Sequence, residues 1–482
     1  MRILHITASY QPAFVYGGPI YSVAALCEAL QTEDGSRESE VESPELGVGS
    51  KRAAGIKKES LMSDSISRSA LQASLPEGEK KILVKVYTTL ANGKEELPYQ
   101  NGEMKLVDGV PVHYFKRITK DHSHFSPALL WHLWKTAKNY DIIHIHAWWN
   151  LVSMGAVLIC LLKGIKPIVS PRGMLGDYTF SKGKTLFHHL IGKYLLRRCD
   201  FHATTLMEAE EIVKRIGRRK SEVRSQKSRI KSIEIVDLME NQLTVGSSEL
   251  GVDCQQDQVR NTEKEIRSKK QELGVGSSES EVSSHESKIR KRNIKIFVVH
   301  NIVQVPQPLP QRGRIFDGTL KLIFLSRIHP KKGIELLLDA LSEVEFPFSL
   351  SIVGEGEVDY VESLKLKVQS LDLSSKINWM GAVYGDEKFK LLSNHDILVL
   401  PSFNENFANV VIESITVGTP VLISDQVGLS TWVEKNNSGL IHQQNVTDLK
   451  EKLNYFYRHP IKEVSLNHNC NLIEKYDLMY HA

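Results

Sequence analysis

Short, nearly continuous apolar runs recur along the chain, separated by longer stretches whose apolar residues fall at helical spacing. The first is ILHITA (3–8), after which a glycine turn, Gly17-Gly18-Pro19, leads into a helix ending near Leu30. KILVKVYTT (81–89), DIIHIHA (141–147), PIVSP (167–171), FHATT (201–205) and IKIFVVHN (294–301) repeat the pattern. Helical segments such as PALLWHLWKTAKNY (127–140) and KTLFHHLIGKYLLRR (184–198) lie between them. A second series begins with LKLIFLSR (320–327) and continues through SLSIVGEG (349–356), KINWMG (376–381), DILVLPS (396–402) and TPVLISD (419–425). Unbroken apolar runs of this length suit strands buried on both faces. Their alternation with helices predicts an α/β protein with two parallel, doubly wound sheets.

Two segments, about 32–80 and about 218–291, break the pattern. They are rich in Ser, Glu, Lys, Arg and Gln and poor in aromatics, so they bury too little apolar area to offset chain entropy. They also share text: ELGVGS stands at 45–50 and again at 272–277. The period is irregular, which excludes a solenoid reading and leaves two related low-complexity insertions in the first domain. The proline-rich IVQVPQPLPQRGR suits a linker, taken as 302–318. The expected organisation is a first domain over 1–301, a second over 319–462, and a C-terminal helix within 463–482 packing back on the first.

Composition narrows the function classes. Of 482 residues, 41% are hydrophobic and 24% charged, and the net charge of +4 is too small to imply a nucleic-acid partner. The five cysteines form no CxxC pair, which argues against a disulfide framework or zinc site and for a reducing, cytoplasmic setting. The longest apolar run, LVSMGAVLICLL (151–162), is too short to span a bilayer. The basic, apolar-striped KGKTLFHHLIGKYLLRR reads either as a domain helix with a solvated basic face or as a segment lying on an anionic membrane.

In doubly wound sheets, ligands bind beyond the carboxyl ends of the strands. Three segments of the second domain end strands there. In SRIHPKKGIELLLDAL (326–341), Arg327 and Lys332 stand beside a helix N-terminus, a combination suited to a diphosphate. IVGEGEVDY (352–360) is either a tight turn or half of a nucleotide-binding fingerprint. In PSFNENFANVVIES (401–414), Glu405 lies in the loop and Glu413 about one turn into the following helix. Each carboxylate can accept two hydroxyl donors, as from vicinal sugar hydroxyls. In the first domain, His144 and His146 are two apart on a strand and share one face, and His146, nearer the strand end, either reaches the cleft to bind substrate or is a satisfied core histidine.

Taken in order, SR-x4-KG, VGEGE, E-N-F-x-N-V-V-x-E-S, G-T-P-V and V-G-L (427–429) resemble the donor domain of glycosyltransferase family 4. GG-P (17–19), HIHAWWN (144–150), SPRGML (170–175) and HATTLMEAEEIVKRIG (202–217) resemble its acceptor-side half. The resemblance implies the GT-B architecture, two Rossmann-like domains facing a cleft. It also implies transfer of a sugar from a nucleotide diphosphate donor to a saccharide or lipid-linked acceptor, with retention at the anomeric carbon and no metal or other cofactor. By the same resemblance Arg327 and Lys332 neutralise the leaving diphosphate and Glu405 lies near the donor sugar. Glu413 binds ribose, and Asn406, Phe407, Ala408 and Asn409 present backbone amides at a helix start. Gly17 and Gly18 admit the diphosphate from the other side. Ala408 stands where the family usually has glycine, and Arg172 falls in the region where many relatives carry a histidine. An arginine is no base near neutral pH, so Arg172 is expected to bind phosphate or orient the acceptor. The rival readings are an epimerase of the same fold and a nucleotide-sugar-binding protein without catalysis.

Overall fold

The computed structural model describes residues 1–13, 17–32, 82–217, 230–239, 292–306, 308–310, 316–461, 464 and 472–482. Most of both predicted insertions lies outside these residues. The described chain contains two large sheets, each covered by helices on both faces.

The first sheet has nine strands, in the spatial order Ile230–Asp237, Arg292–Val298, Asp200–Ala203, Ile168–Ser170, Ile142–His146, Arg2–Ile6, Leu83–Thr89, Val110–Phe115 and Glu103–Val107. All neighbours are parallel except the last pair, a hairpin. The second sheet is wholly parallel: Ile377–Gly381, Phe348–Val353, Leu320–Leu325, Ile397–Leu400, Val421–Ser424 and Gly439–His442. In both sheets the first strand in sequence lies centrally, and the chain winds outward from it in both directions. Such a reversal opens a crevice at the carboxyl ends of the two central strands. In the second sheet those strands are Leu320–Leu325 and Ile397–Leu400, which pair directly. The loops that follow them, 326–333 and 401–408, are therefore neighbours.

The buried runs identified by pattern all form strands, because residues such as Leu322, Ile323, Phe324, Leu398 and Val399 have no exposed face. Each such side chain contributes about 2 kcal/mol on leaving water. Helix Ile334–Ser342 seals one face by burying Ile334, Leu337, Leu338 and Leu341, an i, i+3, i+4, i+7 stripe. Four strands of the two large sheets escaped the pattern. The hairpin Glu103–Val107/Val110–Phe115 sits at an edge, and its outer strand EMKLV is only partly buried. Gly439–His442 is four residues long and also an edge. Residues 230–239, placed by composition inside the second insertion, instead carry the edge strand Ile230–Asp237, paired with Arg292–Val298. The last helix, Leu472–His481, buries Leu472, Tyr476, Met479 and Tyr480 in the core of the first sheet.

Candidate functional site

The loop after Leu325 runs through Arg327 and a single 3₁₀ turn, Pro330–Lys332. His329 caps that turn, its Nδ1 accepting from the Lys331 N–H at 3.1 Å. Gly333 closes the turn with φ +70°, and a Cβ there would meet the Pro401 carbonyl oxygen at 2.1 Å. Glycine is thus required by backbone conformation and by close approach together. The Phe403 N–H donates to the Lys331 carbonyl at 2.9 Å, fastening the two loops. That seam brings the Lys332 ammonium into an ion pair with Glu405, both side chains largely shielded from solvent.

Arg327 is exposed beside this pair. A third cation completes the cluster. Lys331 is half-buried, and desolvation lowers its pKa, with Lys332 and Arg327 adding in the same direction and Glu405 opposing. Its ammonium lies 5.0 Å from the Tyr178 ring of the first domain. Sequence reading chose one lysine of PKKG; the adjacent Lys331 was the available signal. Across the cleft, burial raises the Glu211 carboxyl to about 7, with Glu208 and Asp177 adding to it. In the VGEGE segment a Cβ on Gly354 would meet the Ser326 carbonyl oxygen at 1.9 Å, as a tight turn requires. Its backbone supports the Arg327 loop through the bond from the Ile328 N–H to the Glu355 carbonyl at 2.8 Å.

The 404–409 turn faces the first domain with its side chains. Asn406 Nδ2 donates to Thr204 Oγ1 at 2.8 Å and to Glu208 Oε2 at 3.0 Å. Glu208 is buried and also accepts from the backbone N–H groups of Gly173 at 2.6 Å and Thr204 at 2.8 Å. It too was missed, although T-L-M-E (205–208) has capping-box spacing and Thr205 Oγ1 accepts from the Glu208 N–H at 3.2 Å. Phe407 is buried, its ring 5.3 Å from that of His300. Ala408 adopts the left-handed conformation, φ 61°, at the start of helix Asn409–Thr416. Glu413 on that helix pairs with Lys388 at 2.7 Å, away from the Lys332–Glu405 pair. Tyr21 of the helix Gly18–Thr32 faces it across the cleft. Gly17 has φ +73°, and both Gly17 and Gly18 have open space where a Cβ would stand.

His146 lies under the cleft, not at its surface. It is buried, and its ring nitrogens meet Arg172 Nη2 at 3.3 Å and His5 Nδ1 at 2.9 Å. A guanidinium only donates, so His146 Nδ1 accepts and Nε2 carries the proton given to His5. The protonated atom of His5 is then Nε2, which has no partner. Burial holds His5 at about 3 and His146 well below the ordinary histidine value, with Arg172 acting in the same direction. Nitrogen atoms of His5, His144 and His146 lie within 4.8 Å of one another. The adjacent Arg172 cation opposes a metal ion there. Arg172, with φ 57°, also donates to Asn301 Oδ1, and Asn301 Nδ2 donates to Asn409 Oδ1 at 3.2 Å. A buried polar chain thus runs from the histidines to the first residue of the helix that carries Glu413.

Residues 307–471 match the model for glycosyl transferases group 1, and residues 83–224 match that for the glycosyl transferase 4-like domain. The chain belongs to this family of glycosyltransferases, on the GT-B fold. It is 32% identical over 127 residues to an uncharacterized glycosyltransferase of Methanocaldococcus jannaschii, a match covering 26% of this chain and 32% of that protein. It is 26% identical over 155 residues to the D-inositol 3-phosphate glycosyltransferase of Pseudarthrobacter chlorophenolicus, covering 31% of this chain and 37% of the relative. The chain therefore spans about a third of the length of these curated relatives. Among solved structures, Anabaena HepE in complex with UDP and glucose superposes with a TM-score of 0.54 at 14% identity, covering 99% of this chain and 96% of that one. Sucrose-phosphate synthase of Thermosynechococcus elongatus superposes at 0.55 with 14% identity, covering 100% and 95%. At this identity the structural likeness concerns the fold.

Proposed function

We propose that the protein transfers a sugar from a nucleotide diphosphate sugar to a hydroxyl of a saccharide or lipid-linked saccharide, with retention at the anomeric carbon. The observation that carries this reading is the cluster of Arg327, Lys331 and Lys332 around Glu405 at the carboxyl ends of two central strands. In the proposed reaction the bond from the anomeric carbon to the diphosphate oxygen breaks as charge develops on that oxygen. Arg327 and Lys332 stabilise the charge, commonly the largest catalytic contribution. The acceptor oxygen bonds to the same face of the sugar, and its proton passes to the departing phosphate. Glu405 holds Lys332 toward the phosphate and accepts from donor hydroxyls. Glu413 accepts from ribose hydroxyls, and Arg172 fixes the helix start through Asn301. The cations and the helix N-terminus take the place of a metal, so activity is expected to survive chelation.

The presence of UDP and glucose in a fold neighbour favours a UDP-sugar as the first donor to try. Polysaccharide or glycolipid synthesis, on the cytoplasmic side of a membrane, is the proposed setting. No helix among the described residues is long and apolar enough to cross one. The test is a thermal-shift screen against UDP-, GDP- and ADP-sugars, followed by transfer assays and NMR of the product anomer. A donor that stabilises the fold and is transferred with retention supports the reading. Interconversion of the nucleotide sugar without acceptor would replace it with an epimerase, and binding without turnover with a sugar-nucleotide receptor.

A further inference from the structure

The segment Lys182–Leu196 is one helical stretch with a π turn at His188–Gly192. Its inner side buries His188, Gly192, Leu195 and Leu196 against the first-sheet core. Its outer side repeats the apolar pattern: Leu186 is 62% exposed, Leu190 69% and Tyr194 54%, at i, i+4, i+8, with Ile191 beside them at 49%. Single exposed leucines are ordinary, but a helix in water turns an apolar stripe to the core, and this one has a second stripe facing out. The neighbouring helix Leu151–Leu162, which packs into the same core, leaves Leu158 and Leu162 exposed as well.

Charge identifies what covers this surface. From Tyr178 to Cys199 the chain carries five lysines and arginines and no acidic residue. Lys182 is exposed beside the stripe, and the Arg198 guanidinium stacks 3.5 Å from the centre of the Tyr194 ring. An aromatic ring, exposed leucines and flanking cations suit the boundary between lipid headgroups and acyl chains. A second copy of this chain would meet the same cations face to face, at a cost. The solvated basic face expected from the sequence is thus joined to an unpartnered apolar one.

We infer that the outer face of Lys182–Leu196 docks the protein on an anionic lipid bilayer. This rests on exposure and charge alone and stands whether or not the sugar-transfer reading holds. Full-length protein is mixed at low salt with vesicles of phosphatidylcholine, alone or with an equal part of phosphatidylglycerol, and sedimented. The wild type should pellet with the anionic vesicles and stay free of the neutral ones. Each cation near the surface contributes about 1 kcal/mol, so Lys182→Gln with Lys193→Gln should weaken binding roughly tenfold or more. Leu186→Ser with Leu190→Ser should abolish it. Unchanged melting temperatures would show that both variants fold, since the replaced positions are solvent-facing or partly so. Absence of binding to anionic vesicles, or binding indifferent to the leucine variant, overturns the inference. So does a dimer in light scattering that the leucine variant dissociates, which would assign the face to a second copy.

Discussion

The two halves of the molecule share one topology and use it in opposite ways. In the second half, the loops at the central strand ends present Arg327, Lys331 and Lys332 toward the cleft, balanced by Glu405 in the next loop. In the first half, the corresponding strands carry His5, His144 and His146, all buried and held neutral, with the Arg172 guanidinium as the one charge among them. The difference teaches that one half turns its charge toward the cleft, where the proposed reaction places the leaving group, while the other buries neutral rings beneath it. Both are polar at the same topological place, so only burial and pairing separate a site from its support.

Four experiments strain that contrast. The largest effect is expected from Arg327→Ala with Lys332→Ala. Losing one contact to a developing oxyanion costs about 100-fold or more, so the pair should cost turnover roughly 10,000-fold. Arg327→Ala alone should leave urea stability within about 0.5 kcal/mol, since the residue is exposed. Full turnover in the double variant would remove these residues from the mechanism.

Acid should act on the other half. His5 and His202 sit at about 3 in the folded chain, mainly through burial, against about 6.5 unfolded. The unfolded chain therefore binds more protons between those values. Their stabilising contribution is complete above about pH 6.5 and is lost as the pH falls toward 3. Each fully buried histidine removes about 1.4 kcal/mol per pH unit in that window. Between about pH 7.5 and 5.5 the two together should lower the urea-derived stability by about 3 kcal/mol. A flat profile would mean that the cluster is hydrated or paired in solution.

Asn406→Ala tests the seam between the halves. It removes two hydrogen bonds across the seam, to Thr204 Oγ1 and to the buried Glu208, which keeps its donors from Gly173 and Thr204, at a cost of about 2 kcal/mol. The effect should fall on KM and on small-angle scattering, through a more open average shape, with the second domain's own stability unaffected. A rise in KM with unchanged scattering would instead point to direct donor contact. The smallest effect is expected for Glu413→Gln. Exchanging one charged acceptor for a neutral one should raise the donor KM about fivefold with kcat nearly constant. A loss confined to kcat would place Glu413 nearer the reacting carbon than the ribose role allows.

What was legible in the sequence follows from where residues lie. Strands buried on both faces announced themselves because every position must be apolar, as in LKLIFL or ILVL. Three of the four edge strands did not, since EMKLV alternates weakly, Gly439–His442 is short and Ile230–Asp237 begins among basic and serine-rich text, whereas the edge strand in KINWMG was read. Arg327, Lys332 and Glu405 were readable because a strand, a glycine and a helix start bracket them. Glu208 and the His146–Arg172–Asn301–Asn409 chain were not, because their partners come from loops up to about 200 residues apart. Pattern along a chain carries no such pairing. His146, which the sequence left either within reach of the cleft or in the core, is buried and bonded to Arg172.

Gly333 is pressed on the Pro401 carbonyl, Gly354 on that of Ser326, and Gly428 on that of Asn406, which a Cβ on Gly428 would meet at 2.0 Å. Each motif of the second half is thereby wedged against another, with no space for a methyl group at the joints. A replacement at any joint must be matched by movement of a loop belonging to a different motif. Loops 326–333 and 401–408 thus form one linked unit with Gly354 and Gly428, in which a shift at one joint is passed to the next.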